Sequence, residues 1–297
     1  MRPLTMIVLI IVLLCTTLPA CQPDRPLSTQ IETLIAQVPE ATVAVVALDP
    51  EAGAILAINA DRSFHAASTM KVPVMIEVYR RAAQGDLALS DMLPVKNSFR
   101  SIVDGSTFAI EDDSDDAIYA RIGEEMSIAD LMDRMIIVSS NLATNLVIES
   151  VSADSVQQTA LQLGAANIQV LRGVEDLKAY ERGLSNTTTA RDLAILLAAI
   201  ARGEAVSAKA DSAMVATLLR GRYNEMIPAG LPTDVRVAHK TGWITRIHHD
   251  AAIVYPAHAE PYILVILIEG IDDQDMSAAL GAEIARAVHA GLVGDAD

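Results

Sequence analysis

The sequence predicts an α+β protein in which both ends of the chain supply strands to one antiparallel sheet around a helical middle. Near the N-terminal end, Ala41 to Leu48 is a continuous apolar run, Asp49-Pro50-Glu51-Ala52-Gly53 reads as a turn, and Ala54 to Ile58 as its hairpin partner. At the other end, Val235 to Thr241, Ala251 to Tyr255 and Tyr262 to Glu269 are three strand candidates separated by turn-like or polar residues. Short connections favour antiparallel pairing, which places both groups in one sheet. The chain has 297 residues, of which 52% are hydrophobic, enough for a substantial core.

The elements follow in order. Arg2 and the apolar run Met6 to Leu14 read as an export signal over residues 1–20, too short for a stable spanning helix. Leu18-Pro19-Ala20-Cys21 resembles the bacterial lipobox, which would make Cys21 a lipidated first residue; cleavage at Ala20 by an ordinary signal peptidase is the alternative. Cys15 lies inside the signal, so Cys21 has no disulfide partner. Residues 21–28 form a polar tether. Ser28 to Val38 alternates as a short amphipathic helix, and the first two strands follow. A helix is expected to start close to Ser68, because Pro73 is tolerated only in a first turn, and to end at Gly85. Residues 96–126 form a polar segment whose acidic run, Glu111-Asp112-Asp113-Ser114-Asp115-Asp116, reads as a solvated loop. Ser127-Ile128-Ala129-Asp130 is a capping-box-like start to a helical run ending near Val138. Further helices are expected over Ser155 to Leu163, Thr189 to Ala201, Ser207 to Leu219 and Asp273 to Leu292. The mature chain thus reads as one catalytic domain over 29–297, with an α/β part (29–67 and 220–297) and a helical part (68–219).

Ser68-Thr69-Met70-Lys71 carries the clearest chemistry. On a helix this spacing brings a serine hydroxyl and a lysine amine to one face, close enough for the amine to take the hydroxyl proton. The chain has five lysines, and only Lys71 has a serine three residues before it. Near a helix N-terminus the serine oxygen would also find free N–H groups that favour negative charge.

Two further motifs follow in order. Ser139-Ser140-Asn141 ends a helical run, and His239-Lys240-Thr241-Gly242 lies on the first C-terminal strand. Each alone is common. Together, S-x-x-K, then S-x-N, then K-T-G is the motif set of class A β-lactamases and penicillin-binding proteins, and the chain resembles that superfamily over nearly all of its mature length. Ser139 to Ile148 resembles the family's S-D-N segment, with Ser140 in place of aspartate and Asn145 also matching. Asn186-Thr187-Thr188-Thr189 and Asp250 to Pro256 resemble two later stretches. The resemblance implies a five-stranded antiparallel sheet flanked by helices, a three-layer α/β/α arrangement of β-lactamase/transpeptidase type, with the active site between sheet and helical subdomain.

Roles follow from chemistry and from the resemblance. Ser68 attacks a carbonyl and Lys71, made neutral, accepts its proton. Ser139 relays a proton to the leaving nitrogen. Lys240 relays protons and, with Thr241, holds the substrate carboxylate, while Asn141 donates to the substrate's side-chain amide. The N–H groups of Ser68 and of Trp243, which follows Gly242, would form the oxyanion hole. Arg246 is either a second carboxylate anchor or a surface arginine.

Glu175, in Arg172-Gly173-Val174-Glu175-Asp176-Leu177-Lys178-Ala179, matches the family's Ω-loop glutamate that drives deacylation. Ala179 stands where the family has a water-holding asparagine, and Glu175 could instead pair with Lys178, Arg172 or Arg182. His248 and His249 are adjacent on a strand and point to opposite faces, so no metal site and no cofactor is expected. The net charge is −16, which argues against nucleic acid or an anionic bilayer as partner. The expected protein is an exported, lipid-anchored, monomeric serine β-lactamase of the periplasm or cell envelope, acting on β-lactams or peptidoglycan-like molecules. The alternatives are a D-alanyl-D-alanine carboxypeptidase, penicillin-binding protein or esterase on the same scaffold, and a non-catalytic envelope-binding lipoprotein.

Overall fold

The computed structural model of the protein describes residues 26–294. The expected signal, Cys21, most of the tether and residues 295–297 lie outside them. Helix α1 (Leu27–Ala36) already occupies the end of the expected tether, because Pro26 presets the backbone ahead of its first turn. Strands β1 (Thr42–Asp49) and β2 (Gly53–Ile58) form a hairpin, and a 3₁₀ turn at Ala67–Met70 runs directly into α2 (Lys71–Gln84). Gly85, at φ 80°, ends that helix in the left-handed conformation that glycine adopts without strain. The helical middle continues with α3 (Ile128–Ile137), α4 (Asn141–Val151), α5 (Ala153–Gln162), α6 (Leu177–Glu181), α7 (Ala190–Arg202) and α8 (Ala208–Leu218). Then come β3 (Arg236–Ile244), β4 (Ile247–Tyr255), β5 (Tyr262–Glu269) and α9 (Gln274–Val293).

The five strands form one sheet in the order β2-β1-β5-β4-β3, with every neighbouring pair antiparallel. The sheet is buried on both faces, which explains why its strands read as apolar runs rather than alternating ones. Val43, Val45, Leu264, Ile266 and Ile268 face α1 and α9; Ala44, Val46, Ile263, Val265 and Leu267 face the helical side. Helix α7 lies within the expected helical part but packs directly on the sheet, so the α/β and helical parts share one core. Ser127, Thr189, Ser207 and Asp273 each cap their helix by accepting from the backbone N–H three residues on.

Two expectations are corrected. Strand β4 starts at Ile247 rather than Ala251, taking in His248, His249 and Asp250, which are all buried. Their polar character hides the strand because each polar side chain except that of His248 is satisfied by a partner inside the fold. The acidic run, moreover, is not simply a solvated loop. Asp115 is 7% exposed and forms a double hydrogen bond with Arg134 at 2.9 and 2.8 Å. Asp113 reaches the N-terminus of α4, where its oxygens accept from the N–H groups of Asn141 and Leu142, both at 2.8 Å.

Candidate active site

A cavity of about 680 Å³ lies between the sheet edge β3 and the helical side, with Ser68, Ser139, Asn141, Glu175, Thr241 and Trp243 in its wall. Local geometry exposes the nucleophile candidate. Ala67 is held at φ 44°, a strained conformation for a residue with a Cβ, and its N–H donates to His65 Nδ1 at 3.0 Å. Thr69 Oγ1 donates to the Ala66 carbonyl at 2.6 Å, which tightens the turn into α2. Opposite, β3 passes so close that a Cβ on Gly242 would stand 3.0 Å from both the Ser68 and Thr69 backbone nitrogens. Only glycine lets the strand approach the nucleophile this closely.

Lys71 is fully buried at the start of α2. Its ammonium donates to the Ser139 carbonyl at 2.6 Å, to Ser139 Oγ at 3.2 Å and to Asn141 Oδ1 at 3.1 Å. The expected direct bond to Ser68 Oγ is not formed among the described residues. The carbonyl and the Asn141 amide oxygen are strong acceptors within reach, and three donors on a protonated amine use all of its hydrogens. Ser139, at φ 59° in the short link between α3 and α4, also accepts from Lys240 Nζ at 3.0 Å. Two ammonium groups therefore donate to one hydroxyl oxygen, which leaves the Ser139 O–H proton free to point elsewhere.

Lys240, 2% exposed on β3, also donates to the Thr241 carbonyl at 2.8 Å. Burial pushes both lysines down. Lys240 falls to about 7, with Asp250 and then Glu225 opposing the shift. Lys71 is held well below the ordinary lysine range by burial and by the neighbouring Lys240 charge, against Asp113 and Glu175. Two cations sharing one hydroxyl cannot both keep their protons easily.

Glu175 lines the cavity at φ 61°, half-buried. Asn145 Nδ2 donates to the Val174 carbonyl at 3.0 Å and Asn145 Oδ1 accepts from the Val174 N–H at 2.7 Å, pinning this loop onto α4. The loop needs glycine at 173, since a Cβ there would lie 2.2 Å from Asn145 Oδ1. Asn141 Nδ2 lies 3.4 Å from Glu175 Oε1. Burial and then the nearby Asp112 raise the Glu175 carboxyl above its ordinary value, with Arg172 and Lys71 opposing. Lys178 is not its partner: that ammonium donates to Asp104 and Ser106, at 2.8 and 2.6 Å. Ala179 is buried inside α6 and offers no side-chain polar group.

Arg246 is not brought into this cavity. It sits at φ 61° in the turn joining β3 to β4, donates to the Gly270 carbonyl at 2.7 Å, and faces Asp272 at 3.4 Å. A second hollow of about 520 Å³ lies on its side of the hairpin, and His65 and Tyr180 line both spaces. The two strand histidines diverge, as adjacent residues must. His249 Nε2 donates to the His65 carbonyl at 3.0 Å, whereas His248 lies 3.7 Å from Glu225. Burial lowers His249 to about 4, so its ring is neutral at pH 7. Asp113 and Glu225 were not singled out from sequence. No local pattern marks either, and Asp113 acts on residues 28 and 29 positions away.

No curated protein matches the sequence. Among solved structures, the chain is similar to a PBP-A variant in acyl-enzyme complex with penicillin G, at 25% identity and TM-score 0.76, covering 91% of this chain and 98% of that one. It is likewise similar to a β-lactamase from Sphaerobacter thermophilus (25% identity, TM-score 0.75, 89% and 96% covered). A class A β-lactamase of the last common ancestor of Gram-negative bacteria matches at 25% identity and TM-score 0.77, with 89% and 98% covered. The description "Beta-lactamase enzyme family" matches residues 26–292, nearly the whole described chain, and the protein belongs to that family.

Proposed function

We propose that this serine hydrolase of the β-lactamase family opens β-lactam rings through an acyl-Ser68 intermediate and releases the product with water. The observation that carries the reading is Ser139 Oγ held between the buried ammonium groups of Lys71 and Lys240, 3.2 and 3.0 Å away. Loss of one proton from Lys71 frees a lone pair that can turn to Ser68 Oγ. The Ser68 oxygen then bonds to the lactam carbonyl carbon while its proton passes to Lys71. The C–N bond breaks as the Ser139 O–H protonates the departing nitrogen, and Ser139 recovers a proton from a neighbouring ammonium. Lys240 and Thr241 would hold the substrate carboxylate, and the Ser68 and Trp243 N–H groups the developing oxyanion. Glu175 would activate the water that breaks the ester, and its raised pKa makes it a stronger base than an ordinary carboxylate.

A second reading, slow release as in a penicillin-binding protein, is favoured by one observation. Ala179 supplies no side-chain group to hold the deacylating water. A chromogenic cephalosporin followed by absorbance and protein mass separates the two. Continuous turnover, abolished in Ser68→Ala, is the expected result, and Glu175→Gln should accumulate the acyl-enzyme mass. A stable mass gain on the wild-type protein means the second reading holds. No reaction at all sinks both.

A further inference from the structure

Next to Thr241 the cavity wall holds a group of side chains that the steps above do not use. Side chains alternate along β3, so Trp243 shares the face of Thr241, and the β3–β4 ladder sets His248 opposite Trp243 on that same face. His248 Nε2 lies 3.7 Å from Glu225 Oε1, and the two side chains are 2% and 38% exposed. That gap is too long for a hydrogen bond. Both ring nitrogens of His248 are without a hydrogen-bond partner among the described residues. Tyr223, two residues before Glu225, donates its O–H to the Val138 carbonyl at 3.3 Å, next to Ser139. Glu225, Trp243 and Tyr223 all line the cavity, and Trp243 is 54% exposed.

A buried imidazole without partners costs stability, which marks this place as kept for something other than packing. Glu225 forms an ion pair with no lysine or arginine among the described residues; His248 is its one candidate cation. A charged His248 would close on the carboxylate from behind, whereas a neutral one leaves the negative charge to the cavity. A carboxylate that shares a cavity wall with an indole and a phenol ring suits a cation, because the aromatic π-systems add their own attraction. Resting on the reading of this cavity as a β-lactam site, we propose that Glu225, Trp243 and Tyr223 form a subsite for a cationic substituent beside the substrate carboxylate, so that the enzyme favours zwitterionic cephalosporins.

Substrate chemistry supports this placement. Lys240 and Thr241 are the proposed holders of the ring carboxylate, and in a cephalosporin the 3-substituent is borne by the carbon next to the one carrying that carboxylate. It therefore lies against the side chains that adjoin Thr241 on its face of β3. Those are Trp243 and, through the His248 contact, Glu225. A pyridinium in that position has no N–H to give to a carbonyl, so charge and ring contact are what can hold it. Asp112 belongs to a separate group around Asn141, whose Nδ2 donates to its carbonyl at 3.2 Å.

The test has a readout apart from turnover, because Trp243 is the one tryptophan of the chain. Its fluorescence in the Ser68→Ala protein follows binding of two cephalosporins with the same acylamino side chain, one 3-pyridiniomethyl and one 3-acetoxymethyl. The pyridinium compound should bind about tenfold more tightly, and kcat/KM of the Ser68 enzyme should favour it by a similar factor. Glu225→Gln should cut both preferences to about twofold or less. Trp243→Leu, followed by kinetics alone, should reduce the preference about threefold. Asp112→Asn removes one negative charge elsewhere in the wall and should keep most of it. Equal binding of the two compounds, or a preference that survives Glu225→Gln, overturns the proposal even if the enzyme hydrolyses β-lactams. A preference in binding that depends on Glu225, without turnover of either compound, would instead overturn the reading of the reaction and leave the subsite standing.

Discussion

At Gly242 the demand on one residue is set by a neighbouring backbone rather than by a side chain. A methyl group there would meet the Ser68 and Thr69 nitrogens at 3.0 Å and Thr69 Cγ2 at 3.1 Å. Either β3 or the nucleophile turn must then move by a few tenths of an ångström. Both are embedded in the core, so the shift falls on the gap between Ser68 and the Trp243 N–H, where the oxyanion is proposed to form. Gly242→Ala should therefore lower kcat/KM by about tenfold or more, because small misplacements of reacting groups are costly. Thermal unfolding should change far less. A variant with wild-type kinetics would show that β3 has room to spare. The same scale explains what was readable in advance. Ser68 and Lys71 are three residues apart, and Ser139 and Asn141 two apart, so each pair could be picked out from local spacing, although Lys71 bonds to Ser139 and Asn141 rather than to Ser68. The meeting of Ser139 with Lys240 spans 101 positions, and only the motif order anticipated it.

Helix α4 shows the same limit at the scale of an element. The first four N–H groups of a helix have no partner within it. In α4 the N–H groups of Asn141 and Leu142 donate to Asp113, that of Ala143 to Ser140 Oγ at 3.2 Å, and that of Thr144 to the Ser140 carbonyl at 3.2 Å. The acidic cap also meets the positive end of the helix dipole. Asp113 thus holds in place the helix start that carries Asn141, itself hydrogen-bonded to Lys71. Removing it in Asp113→Ala should cost about 1–3 kcal/mol, since two N–H donors lose a charged acceptor. Denaturant unfolding measures the loss, and an unchanged midpoint would refute the capping role. Sequence could not reveal this cap, because composition marks an acidic run as solvated and the receiving helix begins 28 residues later. The caps at Ser127, Thr189, Ser207 and Asp273 were legible because donor and acceptor lie within one turn.

Over the whole molecule, apolar runs identified all five strands, yet the polar start of β4 and the placement of α7 on the sheet depend on partners distant in sequence. Charge, by contrast, is a property of the whole chain and can be read without the fold. The net value of −16 is matched locally, because Asp112, Asp113, Glu175, Asp176 and Glu225 all line the cavity and Arg172 is the one arginine among its lining residues. Lys240, proposed to hold the substrate carboxylate, and Lys71 lie behind the cavity wall, bonded to Ser139 and nearly removed from solvent. An anionic β-lactam must therefore pass these acidic residues before it comes near the buried positive charge. At low ionic strength the acidic residues act over long range, while at 0.1 M salt the screening length falls to about 10 Å. The buried lysines are screened much less, so added salt weakens the repulsion and leaves the attraction. Between 10 and 200 mM salt, kcat/KM for a singly anionic β-lactam should rise about threefold, while a zwitterionic one of similar size should change little. Steady-state kinetics at fixed pH in the two salts make the comparison. A fall with salt for the anionic substrate would mean that the buried lysines, rather than the acidic residues of the cavity wall, govern its approach.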